Sequence, residues 1–356
     1  MYMAFDPHFS MNLKINHALV EIERVRGFLD AIKIKESWFS QMQEESLREE
    51  SHHSTHIEGT GISLEQAKKI FAGKKVPGIS QDVKMELTNY RLALDYVSKY
   101  MGADSPITEG LIREIHKILV KEVRGNDADP GNYRHVQNYI VNSLTNEIIY
   151  TPPPAFDVPV LMKELVDWIN SNIAELSPVI VSGIAQFQFE HIHPFLDGNG
   201  RTGRLLSTLI LYKTGYDFKR LFVLSSYYDK NRPAYYAALQ SVRKNKMDMT
   251  GWIEYFVNGL KSQMIDVKRK GEKILKKEIL LEKTKKMNLN QRQQKILEYL
   301  IENNTISRSE YAKMCKISLR TANYDLEELQ TKKLIRPQGV GRAIHYVLVP
   351  PDLTKT

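Results

Sequence analysis

Apolar side chains recur every three or four positions through most of the first 285 residues of this chain, the spacing of amphipathic helices. Residues 12–50 show it clearly, with Leu19, Ile22, Val25, Phe28, Leu29 and Ile32 on one face. The glycine-rich stretch Glu58-Gly-Thr-Gly-Ile62 interrupts the pattern, and Ser63 with Gln66 three residues on resembles a helix N-cap box. Further helices are predicted over 84–101, from Thr108 to near Val123, and over Val158–Asn172, Pro178–Glu190, Gly198–Thr214, Arg232–Lys244 and Thr250–Lys285. One interval departs from the helical period. Residues 136–150 alternate around Asn146, with β-branched runs at Val136, Tyr139–Val141 and Ile148–Tyr150. Pro130-Gly131 precede them and Pro152 to Pro154 follow, so a short β-hairpin is predicted there.

The pattern changes again near the end. Val267–Met287 is lysine-rich with leucines and isoleucines at helical spacing, and reads as a connecting helix with a solvated charged face. Beyond it lie a helix (Gln291–Glu302), a short helix (Ser309–Met314), a turn, a helix (Leu319–Lys332) and two strands around Gly339-Val-Gly-Arg342. The phrases Ile306-Ser-Arg-Ser-Glu-Tyr-Ala and Ser318-Leu-Arg-Thr-Ala-Asn-Tyr-Asp in this order resemble a winged helix-turn-helix. On that resemblance Arg320, Thr321 and Asn323 lie toward the start of the recognition helix, where base edges are read. Lys332, Lys333, Arg336 and Arg342 are the candidate phosphate contacts. Winged helices also dock proteins and form dimers, so DNA contact and protein contact both stay open.

Charge sharpens this division. The 356 residues carry a net charge of +8, yet from Asp266 onward there are 20 Lys and Arg against 11 Asp and Glu, and before it 30 against 31. The entire basic excess is in the last quarter, which points to a separate module there. The chain is long enough for two or three domains. Four segments are expected: 1–105, an N-terminal helical region; 106–262, a helical core with the hairpin; 263–287, the basic connecting helix; and 288–356, the winged helix. The lone cysteine, Cys315, excludes an intrachain disulfide, and MYMAFDPHFSMNLK lacks the basic and apolar regions of a secretory signal. No stretch has the roughly 20 apolar residues of a membrane span. A soluble, cytoplasmic protein with no membrane partner is the expectation.

The chemistry concentrates in His193-Pro-Phe-Leu-Asp-Gly-Asn-Gly-Arg-Thr-Gly-Arg204. Gly198-Asn-Gly opens a predicted helix. Glycine admits close approach of a ligand, and N–H groups at a helix N-terminus favour an anion. Arg201 and Arg204, three apart, share a helix face and can fork phosphate oxygens. Asp197 suits a Mg²⁺ bridging phosphates. His193 can accept a proton near neutral pH. The set reads as phosphoryl or nucleotidyl transfer to a hydroxyl. No Gly-Lys-Ser/Thr follows, so this is not a Walker loop, and no βαβ unit accompanies it. His52, His53, His56, His191 and His193 lack zinc-ligand spacing, and no zinc site is assigned.

These twelve residues are similar to the Fic family signature, His-x-Phe-x-Asp/Glu-Gly-Asn-Gly-Arg-x-x-Arg, at every specified position. Thr108-Glu-Gly-Leu-Ile-Arg-Glu-Ile-His, Pro130-Gly-Asn-Tyr-Arg134 and Tyr150-Thr-Pro-Pro153 extend the resemblance over about residues 50–260. It implies a mainly α fold, a Fic-type helical bundle with a hairpin flap, and transfer of AMP from ATP to a Ser, Thr or Tyr hydroxyl of a protein. On that resemblance His193 is the catalytic base, Phe195 packs beneath the loop and Asp197 holds Mg²⁺. Gly198, Asn199, Gly200, Arg201, Thr202, Gly203 and Arg204 bind ATP, Arg201 and Arg204 holding the outer phosphates. Ile148, Ile149 and Tyr150 of the flap meet the target chain. Tyr235 and Tyr236, with Leu239, resemble an adenine-pocket feature, although tyrosines at helical spacing are also ordinary core packing.

Ser54-Thr-His-Ile-Glu58-Gly59 resembles the family's inhibitory motif, Ser/Thr-x-x-x-Glu-Gly/Asn. In that reading Glu58 pairs with Arg204 and removes a phosphate ligand; in the plainer one Ser54 and Glu58 only cap a helix end. Two other functions stay open: a DNA-binding regulator with a nucleotide-sensing core, and removal of AMP assisted by Glu58. The target protein, which could be the chain itself, and the oligomeric state, a homodimer among the options, are beyond the sequence.

Overall fold

The computed structural model describes residues 5–32, 36–101, 104–123, 127–141, 145, 147–285 and 287–349. It divides into two compact units, Met1–Val267 and Lys268–Thr356.

The first unit is built on α1 (Leu13–Ala31), α2 (Glu36–Ile57), α3 (Leu64–Phe71), α4 (Gln81–Ser98) and α5 (Glu109–Val120). The hairpin strands β1 (Ile140–Val141) and β2 (Ile148–Tyr150) follow. Then come α6 (Val158–Asn172), α7 (Pro178–Ile192), α8 (Asn199–Lys213), α9 (Leu224–Lys230), α10 (Arg232–Lys244) and the start of α11 (Thr250–Thr284). Side chains cap several of these helices, and the cap at Ser63 is the one the sequence led us to expect. Ser63 and Gln66 form the reciprocal capping box of α3, and Thr108 accepts from the Leu111 N–H at the head of α5.

The centre of the unit is the pair α7 and α8, which make the most extensive helix–helix packing among the described residues. Nearly every residue of both is buried. A helix that buries all its faces must be surrounded. Neighbours do surround them: α6 lies on α7, while α2, α4 and α5 pack on α8. Gly183 of α7 gives room to the ring of Phe256, which a Cβ would meet at 3.0 Å. The Trp252 indole N–H donates to the Gly183 carbonyl at 2.7 Å, so this buried polar group is satisfied.

Two details depart from the sequence reading. Helix α9 is not foreshadowed by any periodic run, because its seven residues are too few to show a period; Leu224, Ser225, Ser226 and Tyr228 are all buried. The hairpin is also shorter than expected, pairing Ile140 with Tyr150 and Val141 with Ile148 across an irregularity. Its tip, including Asn146, lies outside the described residues.

The second unit contains α12 (Gln291–Asn303), α13 (Arg308–Cys315), α14 (Leu319–Thr331), β3 (Ile335–Gln338) and β4 (His345–Leu348). Strands β3 and β4 are antiparallel, with Ile335 opposite Leu348, and Ile306 bridges to Tyr346. Ile296, Leu300, Leu326 and Leu329 lead its own apolar core. A polar node sits beside that core. The Asp325 carboxylate accepts from Tyr311 Oη at 2.9 Å, Arg292 Nε at 2.9 Å and Asn290 Nδ2 at 3.0 Å. The side chain of Arg342 lies outside the described residues. Among the described residues no helix is long and apolar enough to cross a membrane.

Candidate active site

The site forms where α7 ends and α8 begins. His193 adopts a left-handed conformation (φ 52°) with its N–H on the Phe189 carbonyl, which stops α7 and turns the chain. Asn199 then closes the loop on itself. Its Oδ1 accepts from the Phe195 N–H at 2.9 Å and its Nδ2 donates to the Phe195 carbonyl at 2.8 Å. The Asn199 amide is therefore spent on shape, and its contribution to a cradle is its backbone. Gly198 has φ 76°, and a Cβ there would lie 2.9 Å from Val120. Only glycine satisfies both demands. The N–H groups of the first turn of α8 have no carbonyl partner within the helix, an arrangement that favours an anion in front of them.

Two buried residues hold this loop from outside the motif. The imidazole of His116, on the apolar face of α5, stacks on Phe195 with centroids 3.7 Å apart and planes at 3°. Its Nδ1 accepts from the Gly131 N–H at 3.0 Å, so Nε2 carries the proton and donates to the Asp197 carbonyl at 3.0 Å. Burial pushes the His116 pKa down to about 4, which keeps the ring neutral. Arg134, also buried, donates from Nε to the His193 carbonyl at 2.9 Å, and its other nitrogens reach the carbonyls of Val136, Pro153 and Ile192. Residues on both sides of the hairpin are thus tied to the histidine turn. Sequence reasoning assigned neither residue a role. The available signal was a histidine on the buried face of an amphipathic helix and an arginine following Pro130-Gly-Asn-Tyr.

His193 itself is held neutral. Burial is the main cause, pushing its pKa down to about 4 against a smaller opposing effect of the Glu190 carbonyl, which lies 3.4 Å from Nδ1. A proton on Nδ1 leaves Nε2 as the acceptor.

The two arginines of the motif lie in different surroundings. Arg201 is buried, with Nη1 3.5 Å from Glu86 of α4 and Nη2 3.6 Å from Asp197. Its guanidinium is enclosed by two carboxylates at the base of the loop rather than presented alongside Arg204. Arg204 faces α2: Nε donates to Ser54 Oγ at 2.8 Å, and Nη2 to the Ser54 carbonyl at 2.9 Å and to Glu58 Oε1 at 2.7 Å. Burial is the largest single effect on Arg204 and by itself would lower its pKa; Glu58 first, then Tyr235, Tyr90 and Glu190, together more than offset it and the guanidinium stays charged. Because α8 is buried on all sides, a rotation of one turn less 60° is enough to hand the two side chains to different neighbours.

Glu58 reaches this position because α2 stops at Gly59, whose φ of 100° is left-handed and whose N–H returns to the His56 carbonyl. The Glu58 carboxylate then lies over Gly200, where a Cβ would be 2.3 Å from Oε1. The negative end of α2 and the Glu58 charge therefore meet Arg204 and the positive end of α8. Ser54 and Glu58 do more than cap a helix.

Other predicted residues are placed as follows. Asp197 accepts from the Gly198 N–H at 2.6 Å, and its side chain is 44% exposed at the head of the cradle. The Thr202 hydroxyl donates back to the Gly198 carbonyl within the helix. Gly203 lies against Phe189 and Glu190. Tyr235 is 1% exposed and stacked on Tyr228 at 4.4 Å, a core position, whereas Tyr236 is 46% exposed and reaches the Ile57 carbonyl at 3.4 Å. Of the hairpin residues, Ile148 and Ile149 are exposed, and Tyr150 bonds His191 with Arg243 stacked 3.7 Å over its ring.

Residues 106–211 match the model of the Fic/DOC family, and residues 289–336 match that of a winged helix-turn-helix DNA-binding family. The chain is 32% identical over 200 residues to the protein adenylyltransferase Fic of Drosophila willistoni, spanning 56% of this chain and 38% of that one. It is 30% identical over 200 residues to the namesake of Drosophila virilis, at 56% and 39%. The chain thus spans about two fifths of the length of the curated relatives it matches. Its fold is that of a Fic family protein from Desulfovibrio desulfuricans G20, with a TM-score of 0.65 at 21% identity over 98% of this chain and 99% of that one. Fic-1 from C. elegans shares it at a TM-score of 0.61 and 24% identity, over 71% of each chain.

Proposed function

We propose that this chain, whose residues 106–211 are a Fic-family domain, transfers AMP from ATP to a side-chain hydroxyl of a protein, and that Glu58 holds it idle. The observation that carries the reading is the occupancy of Arg204. An arginine beside an anion-binding helix N-terminus is already ligated by a carboxylate, 2.7 Å away, from a separate helix. A phosphate oxygen and Glu58 compete for the same donor.

With Glu58 withdrawn, the first turn of α8 and Arg204 receive the outer phosphates of ATP. The target hydroxyl approaches His193 and its oxygen bonds to the α-phosphorus. The bond from that phosphorus to the β-phosphate oxygen breaks, pyrophosphate leaves with the electron pair, and the hydroxyl proton passes to Nε2 of His193. Arg204 and the helix N–H groups balance the charge on the departing pyrophosphate. Arg201 acts at one remove, orienting Asp197 from below. The residues suit a magnesium ion, since one part-exposed carboxylate, Asp197, beside a phosphate cradle is the protein share of its coordination. Bound there, the ion would offset phosphate charge. The hairpin is two-stranded among the described residues and carries the exposed Val141, Ile148 and Ile149, so it offers a strand edge to an extended target segment.

The test is mass spectrometry of Glu58→Gly protein given ATP and Mg²⁺, alone and in host lysate. An added AMP on this chain or on another protein is expected, absent in His193→Ala. Equal labelling by wild type and Glu58→Gly refutes the inhibitory role.

For the second unit we propose contact with duplex DNA. The winged-helix match supports it, as do the basic excess and the exposed side chains of Leu319, Arg320 and Tyr324 along α14. Full-length protein should bind duplex with an affinity that falls steeply with salt, and Arg320→Ala should weaken it; binding unchanged by either would refute this reading.

A further inference from the structure

Helix α8 admits a second carboxylate against Gly203, the residue before Arg204. Gly200 makes room for Glu58, and Gly203, one turn on, makes room for Glu190 of α7, whose Oε1 would lie 3.3 Å from a Cβ at that position. Glu190 is 7% exposed, and its Oε1 has no hydrogen-bond partner among the described residues. A buried carboxylate with an unmatched oxygen is costly unless a nearby charge supports it.

The charged and titratable groups around it come from four elements. Arg204 (α8) and Arg243 (α10) attract it, and Glu58 (α2) repels it. Tyr235 and Tyr236 (α10) also feel its charge. His193, directly after α7, lies against its backbone carbonyl.

We propose that Glu190 is a positioning residue that shares Arg204 with Glu58: ionised Glu190 weakens the docking of Glu58, and protonated Glu190 permits it. The proposal rests on the inhibitory reading of Glu58. Two carboxylates set against Gly200 and Gly203, three residues apart on one helix face, cannot both be comfortably ionised. Burial pushes the Glu190 pKa up, to about 7, with Arg204 opposing and Glu58 reinforcing the rise. Docked Glu58 therefore increases the proton affinity of Glu190, and the docked state holds more protons than the released one. By linkage, raising the pH through about 7 favours release.

The experiment is self-labelling of the full chain with radiolabelled ATP and Mg²⁺ between pH 6 and 8, for wild type, Glu190→Gln, Glu58→Gly and the double variant. Wild-type labelling should rise several-fold with pH, below the ceiling of about tenfold per pH unit for one linked proton. Glu190→Gln, locked in the neutral form, should stay low and flat. In the Glu58→Gly background both proteins should label strongly and without that pH rise, which also demonstrates that Glu190→Gln folds. A pH rise that persists in Glu190→Gln overturns the proposal. So does an equal loss in both backgrounds, the mark of a merely structural or catalytic role. Equal labelling by wild type and Glu58→Gly instead defeats the inhibitory reading first, and the proposal with it.

Discussion

Arg201 and Arg204 stand three residues apart on α8, both buried and both paired with glutamates, yet the two pairs are built differently. Glu86, the partner of Arg201, has a side chain only 4% exposed, and it is carried on a core helix. Glu58, the partner of Arg204, is 32% exposed and sits directly after α2, just before a glycine. A pair with both members buried is part of the interior, since separating it would leave a charge without water. A pair with one member at the surface can open, because the departing carboxylate is rehydrated. On the proposed reading the first arginine is a fixture of the loop, and the second is a binding group with a removable occupant.

The strongest way to break this contrast is Arg204→Ala. If Arg204 is the working arginine, labelling in the Glu58→Gly background should fall by about 100- to 1000-fold, the cost of one lost charge-stabilising donor; a fall of less than threefold would transfer the role to Arg201. Next comes Glu58→Gly alone. Removing a hydrogen bond between charged groups, about 1.5–3 kcal/mol, should raise self-labelling roughly 10- to 100-fold. Glu86→Gln should act on stability instead. It should lower it by about 3 kcal/mol, seen as a drop in melting temperature, while leaving the labelling rate of the folded fraction near wild type. Activation by Glu86→Gln would erase the distinction between the pairs.

The smallest effect concerns acid. Burial pushes His116, His191 and His193 down to about 4, from an ordinary value of 6.5. Their unfolded forms bind protons that the folded form refuses, so their contribution to stability is complete above pH 6.5 and is lost as pH falls toward 4. Melting of the full chain should therefore show a decline across that window, reduced in His191→Gln. The kcat/KM profile of Glu58→Gly should be flat above pH 6 and fall only as His193 protonates.

Most of the helices were legible because each turns one apolar face to the core, which writes a period into the chain. Asn199, Gly198 and His193 were legible because their neighbours in sequence are their neighbours in space. Helix α9 was not, since seven residues hold too little periodicity. Nor were His116 and Arg134, whose bonds to Gly131, Asp197 and His193 span 15 to 81 residues. The pairing of Tyr235 with a tyrosine core and of Tyr236 with the end of α2 was likewise invisible, since adjacent residues on a helix differ by about 100° in direction.

The sequence by itself determined the inventory: a histidine turn, a glycine-opened helix, two arginines, an upstream Ser-x-x-x-Glu and a basic terminal module. The tertiary structure alone decided how these are shared out. It gave Arg201 to Glu86, Arg204 to Ser54 and Glu58, and placed Glu190 beside Gly203. The reason is physical. Local order depends on backbone preferences and periodicity over a few residues, whereas the partner of a buried charge depends on which distant helix closes over it, and burial makes that choice costly to change.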